Sequence, residues 1–120
     1  MPKEKKVKWL ASSLKDIKKL PEDVQDDIGY VLHLVQNCDT HSSIKALTGK
    51  EFKGVYEIKT DFDKNTYRAV YVINIGDMIY MLHVFQKKSK KGIETPKPDM
   101  DIIRARLKLA KEDAEHGEKY

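Results

Sequence analysis

The chain is expected to fold as an α+β domain, because two kinds of hydrophobic pattern occupy different parts of it. Between Val24 and Val35 the apolar residues recur at helical spacing, whereas from Gly54 to Gln86 they alternate with polar residues or run through β-branched and aromatic side chains. Proline and glycine punctuate the borders, at Pro21, Gly49, Gly76 and Pro96. The predicted order is a short N-terminal strand, a helical hairpin, a three-stranded antiparallel meander and a C-terminal helix.

Each element has a local reason. Val7 and Trp9 alternate with lysines, which suits a short opening strand. Ser12 or Ser13 then caps a brief helix carrying Leu14, Ile17 and Leu20. Pro21, at a first helical position and followed by Glu22 and Asp23, opens a second helix whose Val24, Ile28, Val31, Leu32 and Val35 share one face. Residues 37–53 are polar and read as a long connection with one turn around Ile44 to Leu47. Tyr56 and Ile58 alternate with Glu57 and Lys59 in the first strand of the meander, and Asp61–Asn65 supplies a hairpin loop. Thr66–Ile75 is the central strand, and Gly76-Asp77 turns the chain into Met78–Gln86. Pro96 and Pro98 end extended structure, and Asp99 or Asp101 caps a final helix with Ile102, Ile103, Leu107, Leu109 and Ala110. Residues 112–120 read as a frayed tail.

Composition sets the class. A chain of 120 residues, 40% hydrophobic and 35% charged, fits a single globular domain spanning residues 1–120 with one core. No apolar run approaches the roughly 20 residues of a membrane span. The lysine-rich N-terminus lacks a signal-peptide core, so a cytoplasmic protein with no membrane partner is expected. The single cysteine, Cys38, precludes an intramolecular disulfide and a cysteine-based zinc site. His33, His41, His83 and His116 are scattered, and no carboxylate cluster, phosphate-binding loop, dinucleotide fingerprint or nucleophile elbow is present. Neither a metal nor a cofactor is expected.

The formal net charge of +4 is less informative than its distribution. Residues 22–27 are acidic, whereas 45–68 and 87–97 hold most of the central basic residues. The segment from Tyr80 to Gln86 passes directly into Lys87, Lys88, Lys90 and Lys91, which fixes a cationic surface to a rigid strand end suited to phosphate.

Four motifs in order, Lys45-Ala46-Leu47-Thr48-Gly49, Gly54-Val55-Tyr56-Glu57-Ile58-Lys59, Tyr67-Arg68-Ala69-Val70-Tyr71 and Leu82-His83-Val84-Phe85-Gln86-Lys87-Lys88, give the chain a resemblance to the RelE/HigB-type toxins, in the branch related to phage-encoded proteins. The resemblance runs from about residue 7 to 110. It implies a RelE-like fold and the toxin of a type II toxin–antitoxin pair. Such a toxin cleaves mRNA on the ribosome and is held inactive by a protein antitoxin, commonly of helix-turn-helix type. Two alternatives share the scaffold: a ParE-like toxin that inhibits DNA gyrase, and a phage RNA-binding module without catalysis.

RNA cleavage without a metal uses the 2′-hydroxyl as nucleophile. It needs a base for that proton, an acid for the leaving 5′-oxygen and cations for the phosphorane. By the resemblance, Arg68 matches the arginine set against the scissile phosphate, where a planar guanidinium holds two oxygens. A cross-strand pair with Glu57 or another carboxylate is the alternative for this residue. An imidazole is the side chain suited to proton transfer near neutral pH, so His83 is a candidate for either proton role, or for a structural one. Lys87 and Lys88 stand where related toxins carry a catalytic or phosphate-binding basic residue, and Lys87 shares the strand parity of His83 and Phe85. Lys59 occupies a position often held by arginine, keeping the charge without the fork. Arg68, His83, Lys87 and Lys59 are therefore the candidate catalytic residues. Lys45, Lys53, Lys88 and Lys90 are candidate phosphate contacts, with plain solvated loop lysines the alternative for Lys45 and Lys53, and Phe85 and Tyr67 are candidate platforms for unpaired bases, with core or cross-strand packing the alternative.

Overall fold

The computed structural model describes residues 4–87 and 95–117. Its centre is a five-stranded mixed sheet in the order β1-β5-β4-β3-β2, formed by β1 (Lys6–Trp9), β2 (Ile44–Ala46), β3 (Val55–Phe62), β4 (Asn65–Ile75) and β5 (Met78–Lys87). The expected meander is present as β3-β4-β5, but it is not the whole sheet. The opening strand joins it by parallel pairing of Lys6–Trp9 with Met78–Met81. A fifth strand, β2, comes from the stretch whose polar composition predicts a connection with one turn, and pairs antiparallel with β3 through Ile44↔Ile58 and Ala46↔Tyr56. At three residues it is too short to show a period of alternation.

Two turns set the register of the meander. The β3–β4 hairpin is tighter than the expected five-residue loop: Phe62 pairs with Asn65, and only Asp63 and Lys64 turn, both with positive φ (50° and 68°). Positive φ at both central residues matches the right-handed twist of the flanking strands. Gly76, at φ 62°, turns β4 into β5 beside Asp77, as the Gly-Asp pair predicts.

Helices cover both faces. On one face lie α1 (Ser13–Lys18) and α2 (Glu22–Gln36), whose Ile17, Val24, Ile28, Val31, Leu32 and Val35 pack on Ile58, Tyr67, Ala69, Tyr71, Ile79, Met81 and Val84. Ser12 precedes α1, but its hydroxyl donates to Asp16 Oδ2 at 2.7 Å and caps no backbone amide. On the other face lies α3 (Lys97–Gly117), whose Ile103, Leu107 and Ala110 pack on Val55, Val70, Val72, Tyr80, Leu82 and Phe85. This helix continues through Glu112 to Gly117, where the charged composition predicts a frayed tail. Asp113 explains the extension, since Lys8 Nζ donates to both of its oxygens at 2.8 and 2.9 Å and Tyr80 Oη donates at 3.0 Å. None of the described helices is long and apolar enough to cross a membrane.

A β-bulge in β5 decides what the α3 face carries. Tyr71 pairs with Met81 but Val70 pairs with His83, so Leu82 is the extra residue. Both Leu82 and His83 therefore lie on the α3 side, and alternation then continues through Phe85 and Lys87. Arg106 of α3 stabilises the irregularity by donating from Nη1 to the Leu82 carbonyl at 2.9 Å and from Nη2 to Ser12 Oγ at 2.9 Å.

Candidate functional site

Strand register brings most of the predicted polar residues into three rungs on the α3 face. The first rung runs Lys45–Glu57–Val70–His83 across four strands, the second Lys59–Arg68–Phe85, and the third Asp61–Thr66–Lys87. Charged side chains inside such a strand run are costly unless paired. Arg68 and Glu57 are paired: Nη1 stands 2.6 Å from Oε1, with only 5% and 8% of the two side chains exposed. Arg68 thus makes the cross-strand carboxylate contact that is the alternative to a phosphate-binding role. It also faces a cleft.

That cleft has a volume of about 500 Å³ and is lined by Lys45, Ala46, Leu47, Thr48, Glu57, Lys59, Arg68, Thr95 and Met100. Among the described residues, three cations meet one carboxylate there. Lys45 is exposed and Lys59 half-buried, and neither makes an ion pair among the described residues. Ala46, Leu47 and Met100 give one wall an apolar surface, so the cleft can seat a flat ring beside a phosphate. Glu57 Oε2 is buried without a hydrogen-bond partner among the described residues, which leaves a proton acceptor at the cleft floor.

His83 takes a different environment. It is 7% exposed, stacks on Phe85 with centroids 4.7 Å apart and planes inclined by 17°, and its Nε2 lies 2.7 Å from Asp99 Oδ1 in the first turn of α3. Its Nδ1 is buried without a partner among the described residues. His83 and Phe85 share rungs with Glu57 and Arg68 but do not line the cleft. Lys87 is buried on the same face and also lies outside the cleft.

Other expectations separate here. Tyr67 is no base platform: it is 6% exposed and belongs to the core beneath α1 and α2, on the face opposite Arg68, because adjacent strand residues point to opposite sides. Phe85, 8% exposed, is committed to the α3-side core and to His83. Lys53 is exposed at the end of a 3₁₀ turn (Lys50–Phe52) and lies away from the cleft lining. Lys88 and Lys90 lie outside the described residues. Glu57 and Asp99 were not among the candidate site residues. Glu57 entered only as the alternative cross-strand partner of Arg68, on the polar side of its strand's alternation, whereas Asp99 read only as a helix cap. No three His, Cys, Asp or Glu side chains among the described residues are arranged to hold a metal ion.

A family model described as phage derived protein Gp49-like (DUF891) matches residues 15–108, from α1 through most of α3. The chain belongs to the Gp49-like family. Its matched region contains the whole cleft, the bulge and the His83–Asp99 contact, and leaves out β1. No curated protein and no solved structure matches the chain. The outer face of this Gp49-like domain is charged oppositely to the cleft: Glu22, Asp23, Asp26 and Asp27 all lie on α2, across the sheet.

Proposed function

We infer that this Gp49-like protein is the toxin of a type II toxin–antitoxin pair, an endoribonuclease that cuts mRNA, on the ribosome, by attack of a 2′-hydroxyl on the adjacent phosphate. Support comes first from the family, a group of toxin-type, RelE-like proteins. The single observation that carries the reading is the grouping of Lys45, Lys59 and Arg68 around Glu57 in one cleft of nucleotide size. In the reaction the 2′-oxygen bonds to phosphorus and the 5′-oxygen leaves, giving a 2′,3′-cyclic phosphate and a 5′-hydroxyl. On this reading Glu57 receives the 2′-proton, the cations stabilise the charge that builds on phosphate, and His83, which does not line the cleft in this form, is the candidate donor to the leaving oxygen. The antitoxin is an acidic-rich protein, of helix-turn-helix type, that covers the basic cleft.

The test is induction of the wild-type chain and of a Lys45→Ala, Lys59→Ala variant in cells, reading growth and primer-extension stops on a reporter mRNA. Lys45 is exposed and Lys59 only half-buried, and neither joins an ion pair among the described residues, so the variant stays folded. The expected outcome is growth arrest with new mRNA ends for the wild type and neither for the variant. Arrest without mRNA ends, with loss of supercoiling in a purified gyrase assay, would establish the gyrase alternative instead. RNA binding without cleavage has one observation in its favour, the neutralisation of Arg68 by buried Glu57; salt-sensitive binding with intact RNA would establish it.

A further inference from the structure

His83 and Phe85 share the two rungs that carry Glu57 and Arg68, yet only the β3–β4 half of those rungs is open to the cleft. The start of α3 stands between the halves. Thr95 and Met100 form a wall of the cleft, and Asp99 holds His83 behind that wall.

The helix is unevenly anchored. From Ile103 onward it has buried Ile103, Leu107 and Ala110, the two hydrogen bonds of Arg106, and the contacts of Asp113 with Lys8 and Tyr80. From Lys97 to Ile102 no residue is fully buried, and Met100, partly buried, is the one described side chain there that packs against the α3-side core. The His83–Asp99 contact ties this turn directly to the sheet. Segments with few buried contacts open at the lowest free energy. The first turn of α3 is therefore the part of the cover that opens first.

We propose that the His83–Asp99 contact is a latch. It holds the first turn of α3 over His83, and single-stranded RNA is accommodated in the open form, where His83 joins Arg68, Glu57 and Lys59 in one groove. The RNA half of this proposal rests on the ribonuclease reading; the latch itself does not. Glu57 Oε2 and His83 Nδ1, which have no partner among the described residues, fit such a closed form, since buried polar atoms are ordinarily satisfied and an opened groove offers both to a ligand. Glu57 and His83 flank Val70, so about 10 Å separates them across two strand spacings.

Hydrogen exchange and diethylpyrocarbonate modification of His83, both read by mass spectrometry, test the latch on the full chain, with Asp99→Ala against wild type and Asp101→Ala. In Asp99→Ala the amides of residues 99–102 exchange at least about tenfold faster, those of 104–113 keep their protection, and His83 is modified faster. Asp101→Ala behaves as wild type, because its contact with Arg104 is exposed. A short single-stranded oligonucleotide with 2′-O-methyl groups, which prevent cleavage, binds Asp99→Ala more tightly than wild type, since the closed form no longer competes. Unchanged exchange and unchanged His83 modification in Asp99→Ala overturn the latch, as does exchange of the whole helix as one unit. Faster exchange without tighter binding keeps the latch and overturns its coupling to RNA. Failure of the ribonuclease reading registers separately, as uncut reporter mRNA.

Discussion

Arg68 and Glu57 decide how experiments on this site have to be read. A buried pair loses more from removal of one partner than it contributes as a whole, because the remaining charge stays desolvated. Arg68→Ala is therefore expected to destabilise the fold by about 3–5 kcal/mol, measured as the shift in urea unfolding. An Arg68→Met, Glu57→Leu double variant is expected to recover most of that loss. Inactivity of Arg68→Ala alone thus says little about chemistry, and the lysines at the rim are the cleaner probes. Asp113 gives a second prediction. Hydrogen bonds from Lys8 and Tyr80 hold its carboxyl below the ordinary value of 3.8. A carboxyl lowered in the folded state contributes stability above its ordinary value, and that contribution fades as pH falls through the folded value. The stability gap between wild type and Asp113→Asn should therefore be widest near neutral pH and narrow below about pH 4. Urea midpoints at several pH values check the direction, and a gap that widens in acid would contradict it.

At the scale of elements, the bulge at Leu82 places the site and Arg106 secures the bulge. Arg106→Ala leaves the Leu82 carbonyl without its side-chain donor and Ser12 without its guanidinium neighbour, and is expected to cost about 1–3 kcal/mol, read by thermal unfolding with His83 modification as a local probe. The same bulge marks where sequence reasoning succeeds and where it stops. Helix α2 was legible because Val24, Ile28, Val31, Leu32 and Val35 repeat along a helix of fifteen residues, and all five are buried. The meander was legible from alternation and from Gly76-Asp77. Strand β2 was not, since three residues flanked by polar chain carry no period. The common face of His83, Phe85 and Lys87 follows from parity along one strand, but its coincidence with the face of Arg68 depends on one extra residue that no local pattern announces. Tyr67 shows the converse. As an aromatic residue on a strand it was a candidate base platform, and a period of two sends it to the core opposite its neighbour Arg68. Asp99 was hidden because its partner lies sixteen residues away on another element.

Among the described residues, charge is arranged by layer across the molecule: an acidic outer face on α2, and a cleft of three cations and one carboxylate across the sheet. Binding of single-stranded RNA through this cleft should weaken as salt rises. Lys45→Ala with Lys59→Ala should lower the slope of log affinity against log salt by about 1.4, at about 0.7 for each phosphate that the lysines would otherwise neutralise. Fluorescence anisotropy over a salt series checks this, and an unchanged slope would place the RNA elsewhere. The parallel pairing of β1 with β5 has a temporal consequence. Lys6 emerges from the ribosome before α1, yet its partner Met78 is made only after α1, α2, β2, β3 and β4. Long-range closure of this kind is slow compared with local helix formation. A nascent chain therefore carries α1 and α2 well before its sheet can close. The cleft is complete only once Thr95 and Met100 have followed β2, β3 and β4 out of the ribosome, so on the ribonuclease reading a nascent chain that has formed only its first two helices is still harmless to the ribosome that makes it.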